Sequence, residues 1–109
     1  MVSGAIRERY LRDALPIRLG GLAADLARVA SFAENPQNRD AVASLLEESK
    51  YFAEWTAFEA TLDVQAALAQ AQIAVAVWHR RWLLGEPQPD MRREAKQWSE
   101  RLLTLAGLA

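Results

Sequence analysis

The chain has 109 residues, 51% of them hydrophobic and 25% charged, with a net charge of −1. That is one domain by size, with enough apolar content to bury a core without staples, and its charge balance gives no global pull toward nucleic acid or anionic lipid. The absence of cysteine excludes disulfides, thiol nucleophiles and thiolate metal sites together.

The first residues, Met-Val-Ser-Gly-Ala-Ile-Arg-Glu-Arg-Tyr, carry charges where a signal peptide needs an apolar run. The expectation is a soluble, cytoplasmic protein with no membrane partner. No segment alternates with period two, and no Asn-Gly or Asp-Gly turn joins two apolar runs, so strands are not expected. Alanine, leucine, glutamate and arginine dominate, all good helix formers.

Ile6–Leu15 is amphipathic and charge-rich. Pro16 then lacks an N–H and disfavours helical geometry at Leu15. The apolar spacing nevertheless continues through Leu11, Leu15, Leu19, Leu22, Leu26 and Val29. This predicts a short leading helix, a break or kink at Leu15–Pro16, and a second helix that opens on Pro16 and runs to Glu34. Gly20-Gly21 inside it costs roughly 1 kcal/mol per glycine relative to alanine, which close approach by a neighbour would offset.

Asn35-Pro36 places an N-cap residue before a proline at the first helical position. A helix over Pro36–Trp55 follows. Thr56-Ala57-Phe58-Glu59 matches the capping-box pattern and predicts a new helix over Ala57–Leu84. An unbroken helix from Pro36 to Leu84 is the rival reading, and it would span roughly 70 Å. Gly85-Glu86-Pro87-Gln88-Pro89-Asp90 is a firm break. Asp90–Ala106 is the last helix, with Met91, Ala95, Trp98, Leu102 and Leu105 at spacings of 4, 3, 4 and 3.

Within the third helix, Val64–Trp78 contains no charged side chain from end to end. It falls short of the roughly 20 apolar residues a bilayer span requires. It reads as a helix enclosed on most sides by its neighbours. The predicted fold is all-α: residues 1–109 form a single domain, an antiparallel up-down bundle of four main helices with a short N-terminal helical segment.

Chemistry-bearing patterns are sparse. Di-iron bundles need Glu-x-x-His, and the one histidine, His79, has Ala76 three residues before it. One histidine without cysteine makes a poor zinc site. Gly20-Gly21 lies in a helical pattern, so it is not a phosphate loop. No catalytic residue, metal or cofactor is expected. Asp40, Glu47 and Glu54 fall seven apart on one helix face, within an acidic cluster that includes Glu48, Glu59 and Asp63. A solvated face explains such spacing; a carboxylate-dependent metal enzyme is the least supported function.

Two surfaces remain. Tyr51, Phe52, Trp55 and Phe58 form too wide an aromatic arc for one bundle face, and with Glu47 and Glu54 they are the expected partner-binding residues. Arg80, Arg81, Trp82, Arg92, Arg93 and Lys96 could converge across the Gly-Pro loop into an anion-binding end for nucleic acid or a phosphate ligand. Leu19–Arg28, Glu48–Thr56 and Gln97–Arg101 together resemble a set of small all-helical cyanobacterial proteins of uncharacterised function. The resemblance implies a cytoplasmic bacterial setting and no catalytic or ligand residues. The leading expectation is a non-enzymatic protein–protein interaction or scaffold protein, a homodimer, with nucleic-acid binding as the alternative.

Overall fold

The computed structural model describes residues 4–108. They are all-helical: α1 (Gly4–Arg12), α2 (Leu15–Phe32), a single 3-10 turn (Pro36–Asn38), α3 (Arg39–Ala57), α4 (Leu62–Leu83) and α5 (Met91–Leu105). No helix among them is long and apolar enough to cross a membrane.

The breaks have local causes. Between α1 and α2, Ala14 is extended (φ −63°, ψ 155°) and Pro16 sits in the first turn of α2. There its missing N–H has no intrahelical partner to lose. Asn35 Oδ1 accepts from the Gln37 N–H at 2.9 Å, but the cap serves the 3-10 turn, and α3 begins only at Arg39. Gly85 and Gly107 take φ of +70° and +74°. Each ends its helix with a bond that spans the last turn, from Glu86 N–H to the Arg81 carbonyl and from Leu108 N–H to the Leu103 carbonyl, both at 2.9 Å.

The capping box predicted at Thr56 does not form. α3 runs through Thr56 to Ala57, and α4 starts only at Leu62, after Thr61. Thr56 Oγ1 and Glu59 are drawn instead to Tyr10 and Arg18, more than forty positions earlier. The rival single helix is also excluded, because the turn through Phe58–Ala60 separates α3 from α4.

Each long helix packs against the next in the order α5, α2, α3, α4, while α4 and α5 meet only marginally. The most enclosed element is therefore α2. Leu19, Leu22, Ala23, Leu26 and Val29 are all at most 1% exposed. They meet Val42, Leu46, Phe52 and Ala53 of α3, Leu68, Val75 and Trp78 of α4, and Met91, Ala95 and Leu102 of α5 in one core. Ser99 Oγ on α5 donates to the Ala23 carbonyl at 2.7 Å, a buried bond between α5 and α2. The enclosed position expected of Val64–Trp78 belongs to α2 instead. α4 buries Ala67, Leu68, Ala71, Val75 and Trp78 and leaves its opposite side bare.

Candidate functional site

Four regions bear on function, two of them singled out above, and they differ in what holds them. The first lies beneath α1, at the seam between α2 and α3. Tyr10 is the one residue of α1 that is fully buried. Its ring stacks on Phe52 at 4.0 Å and 11° and tilts against Trp55 at 5.9 Å. Its hydroxyl lies 2.8 Å from the Arg18 carbonyl and shares a hydrogen bond with Thr56 Oγ1. Burial pushes the phenol up to about 12, against the opposing hydrogen bond from Thr56.

Two charged groups sit below it. Arg18 is 4% exposed, and its Nη2 donates to Glu59 Oε2 at 2.7 Å. Asp25 is 2% exposed, and Arg28 Nη1 donates to its Oδ1 at 3.1 Å. Burial raises the Asp25 carboxyl from 3.8 to about 8, and a hydrogen bond with the Glu48 carboxyl adds to the shift. A second carboxyl nearby favours the neutral form of Asp25. Arg18 Nε and Nη1 and Asp25 Oδ2 meet no hydrogen-bond partner among the described residues. The sequence reading passes over Arg18 and Asp25, although a signal is present. Arg18, Leu22, Asp25 and Val29 are spaced 4, 3 and 4 along α2, so both charges fall on its core face.

The aromatic arc is the second region, and the structure divides it. Phe52 is buried in the core and carries Tyr10. Tyr51 and Trp55 are half-buried and packed on each other at 5.6 Å. Phe58, in the turn before α4, is 88% exposed. Glu47 is half-buried and Glu54 exposed on α3. Phe52 and Trp55, two of the four, are thus spent on holding α1.

The basic end is the third region, and its members are dispersed over several contacts. Arg92 Nε donates to the Ala30 carbonyl at 2.9 Å and Nη1 pairs with Glu34 at 3.2 Å. That satisfies a C-terminal carbonyl of α2 with a cation, as the helix dipole favours. Arg93 pairs with Asp90 at 3.2 Å and Arg81 approaches Glu86 at 3.9 Å. Trp82 Nε1 donates to the Arg39 carbonyl at 2.9 Å, while Arg39 Nη2 reaches back to the Trp82 carbonyl at 3.1 Å. Lys96 lines a groove with Arg92, Ala27 and Ala30. Arg80 is exposed on α4. His79, beside Lys50, titrates below its ordinary value, first because it is partly buried and then because of that cation. Among the described residues no three His, Asp or Glu side chains converge on a position that would hold a metal ion.

The fourth region is the outer side of α4. Leu62, Ala66, Ala69, Ile73, Ala76, Arg80 and Leu83 are all exposed. Their spacings are 4, 3, 4, 3, 4 and 3, the repeat of a coiled-coil seam. Leu62, Ile73 and Leu83 are 82%, 68% and 58% exposed, and Val77 and Leu84 flank them in the open. The buried side of the same helix repeats almost as regularly through Leu68, Ala71, Val75 and Trp78. α4 therefore has two apolar faces, and the described residues of its own chain cover one of them.

No protein-family model, curated protein or solved structure matches this chain.

Proposed function

We propose that this protein is a non-enzymatic interaction or scaffold module that works as a homodimer. The observation that carries the reading is the uncovered apolar face of α4. Exposed apolar residues scattered singly are ordinary, whereas a contiguous strip marks an interaction surface. The short connections fit an antiparallel up-down arrangement of the four long helices, in which weak closure between α4 and α5 leaves this strip open.

The polar groups support the same conclusion. The two most strongly perturbed groups, Tyr10 and Asp25, are buried and bonded within the fold, and no nucleophile stands beside them. Several cations of the basic end are engaged with carboxylates and helix carbonyls, which lowers their availability to phosphate.

The strength of association follows from the strip. Covering one large aliphatic side chain yields about 1.5–3 kcal/mol. Leu62, Ile73 and Leu83 from each copy would together give on the order of 10 kcal/mol, against roughly 4–15 kcal/mol lost on association. The two are of the same size, so the expected dimer is weak and forms only at high protein concentration. Sedimentation equilibrium across the micromolar range tests this. A mass that climbs from monomer to dimer with concentration is the expected result, and a strict monomer at high micromolar concentration would refute it.

A further inference from the structure

We infer that two copies pair through α4 in antiparallel orientation, the outer seam of one helix lying along the outer seam of the other. This deepens the homodimer reading and rests on it. Three features of the seam bear on the geometry.

The first is the outline of the seam. Read in order, its side chains are Leu62, Ala66, Ala69, Ile73, Ala76, Arg80 and Leu83. A leucine stands at either end, an isoleucine in the middle, and small residues fill most of the remainder. Reversal leaves that outline nearly unchanged, so two helices running in opposite directions offer each other the same succession of large and small groups. Alanines let two helix backbones approach closely, and the seam spacing is that of a left-handed helix pair with a shallow crossing angle. α4 has 22 residues, so the seam extends roughly 33 Å. That matches the 35 Å longest dimension of the molecule, and among the described residues no other element lies across it.

The second is charge. The N-terminal turn of α4 carries Asp63, and its last turn carries Arg80 and Arg81. Glu59 lies just before the helix and is exposed, but its carboxylate is bonded to Arg18, which leaves Asp63 as the acidic group of that end. The segment between these ends has no charge at all. Antiparallel pairing brings the acidic end of one helix to the basic end of the other. Parallel pairing would stack Arg80 against the same residue of the second copy, in the seam itself. The helix dipoles favour the antiparallel choice as well.

The third is symmetry. A contact made by one surface with its own copy closes as a two-fold dimer and leaves no open end to propagate. Both pairing directions along the seam satisfy this, and the charges select the antiparallel one.

The natural absence of cysteine makes the test clean. Three single variants place a thiol on the seam: Leu62→Cys, Ile73→Cys and Leu83→Cys. All three positions are exposed, so the monomer fold should be unaffected, which circular dichroism checks. A short bismaleimide is then added to each variant alone and to an equal mixture of L62C and L83C, with sedimentation of the cysteine-free chain alongside. The expected result is cross-linking of I73C to itself and of L62C to L83C, with L62C and L83C each failing to cross-link alone. In addition, Ile73→Glu should raise the dissociation constant at least about tenfold. If the cysteine-free chain dimerises but L62C couples to itself, or no seam thiol couples, the antiparallel α4 interface is overturned while the homodimer reading stands. If the cysteine-free chain remains monomeric, both fall.

Discussion

The seam beneath α1 and the outer face of α4 depart from the usual sorting of residues in opposite directions. Under α1, an arginine and an aspartate are inside. On α4, leucines and an isoleucine are outside. The buried polar groups take partners from the same chain: Glu59 for Arg18 Nη2, Arg28 for Asp25 Oδ1, Thr56 for the Tyr10 hydroxyl. The exposed aliphatic groups have no such cover among the described residues. A departure whose counterpart lies within the fold is a feature of folding, and one without a counterpart points outside the molecule. This contrast separates the two regions by experiment, because substitutions in the first should change stability and substitutions in the second should change only association.

The largest expected effect on stability is that of Tyr10→Ala. It removes a buried ring, its stacking on Phe52 and its hydroxyl's contacts with Arg18, Phe52 and Thr56. Aromatic-to-alanine changes in cores cost about 3–5 kcal/mol, so urea denaturation should show a loss in that range. The helical signal of α1 should go with it. Tyr10→Phe keeps the ring and leaves Thr56 short of its partner, so about 1–2 kcal/mol is expected. Ile73→Ala, measured below the dimerisation range, should stay within about 0.5 kcal/mol of the parent. A loss at Ile73 above about 2 kcal/mol, the scale of a buried aliphatic truncation, would mean that α4 is covered by its own chain after all.

Asp25 provides a test that depends on pH. Its carboxyl ionises near 3.8 when unfolded and at about 8 when folded. The folded state therefore holds a proton that the unfolded state releases between those values. Since stability falls with pH wherever the native state binds more protons, the contribution of this group is full below 3.8, declines up to about 8 and is level above. Asp25→Asn supplies a permanently neutral group that can still donate to Glu48. Its stability should be nearly flat across that window and should exceed the parent by about 2 kcal/mol above pH 8. A parent whose stability rises across the same window would refute the raised Asp25 carboxyl.

The same contrast explains what could be read from the sequence. Breaks set by local chemistry were legible: the Gly85–Asp90 loop through its prolines, and the gap before α2 through Pro16. Features set by distant partners were not. Thr56 and Glu59 match a capping box letter for letter, but Tyr10 and Arg18 occupy them, and nothing in the tetrapeptide reports a partner so far back in the chain. The aromatic arc suggested surplus surface for the same reason, because the claim of Tyr10 on Phe52 and Trp55 is invisible locally. On α4 the ambiguity is deeper. Its two apolar faces, one through Leu68 and Val75 and the other through Leu62 and Ile73, have nearly the same periodicity, so the pattern identifies a helix without saying which face its own chain covers. Only the packing order, with α4 at the end of the series, decides that.

The smallest expected effect concerns the two glycines of α2, where the difference between neighbours is measurable. Either glycine weakens a helix interior by about 1 kcal/mol relative to alanine. A Cβ at Gly21 would meet Tyr10 Cε1 at 3.8 Å, an ordinary contact. Gly21→Ala should therefore stabilise by about 1 kcal/mol and raise Tm by about 4 °C, since it also adds a methyl against the ring that holds α1. At Gly20 the added atom would stand 3.0 Å from Leu108 Cδ1. Leu108 is 54% exposed, so its methyl can yield, but its contact with α2 is partly lost. The gain at Gly20 should therefore shrink to about half of that at Gly21 or less. Equal gains at both positions would show that Leu108 makes no effective contact there. A loss at Gly21 would show that Tyr10 packs more tightly on α2 than an ordinary contact implies. Neither change should alter self-association, because both positions lie on α2, and α3 separates them from the exposed face of α4.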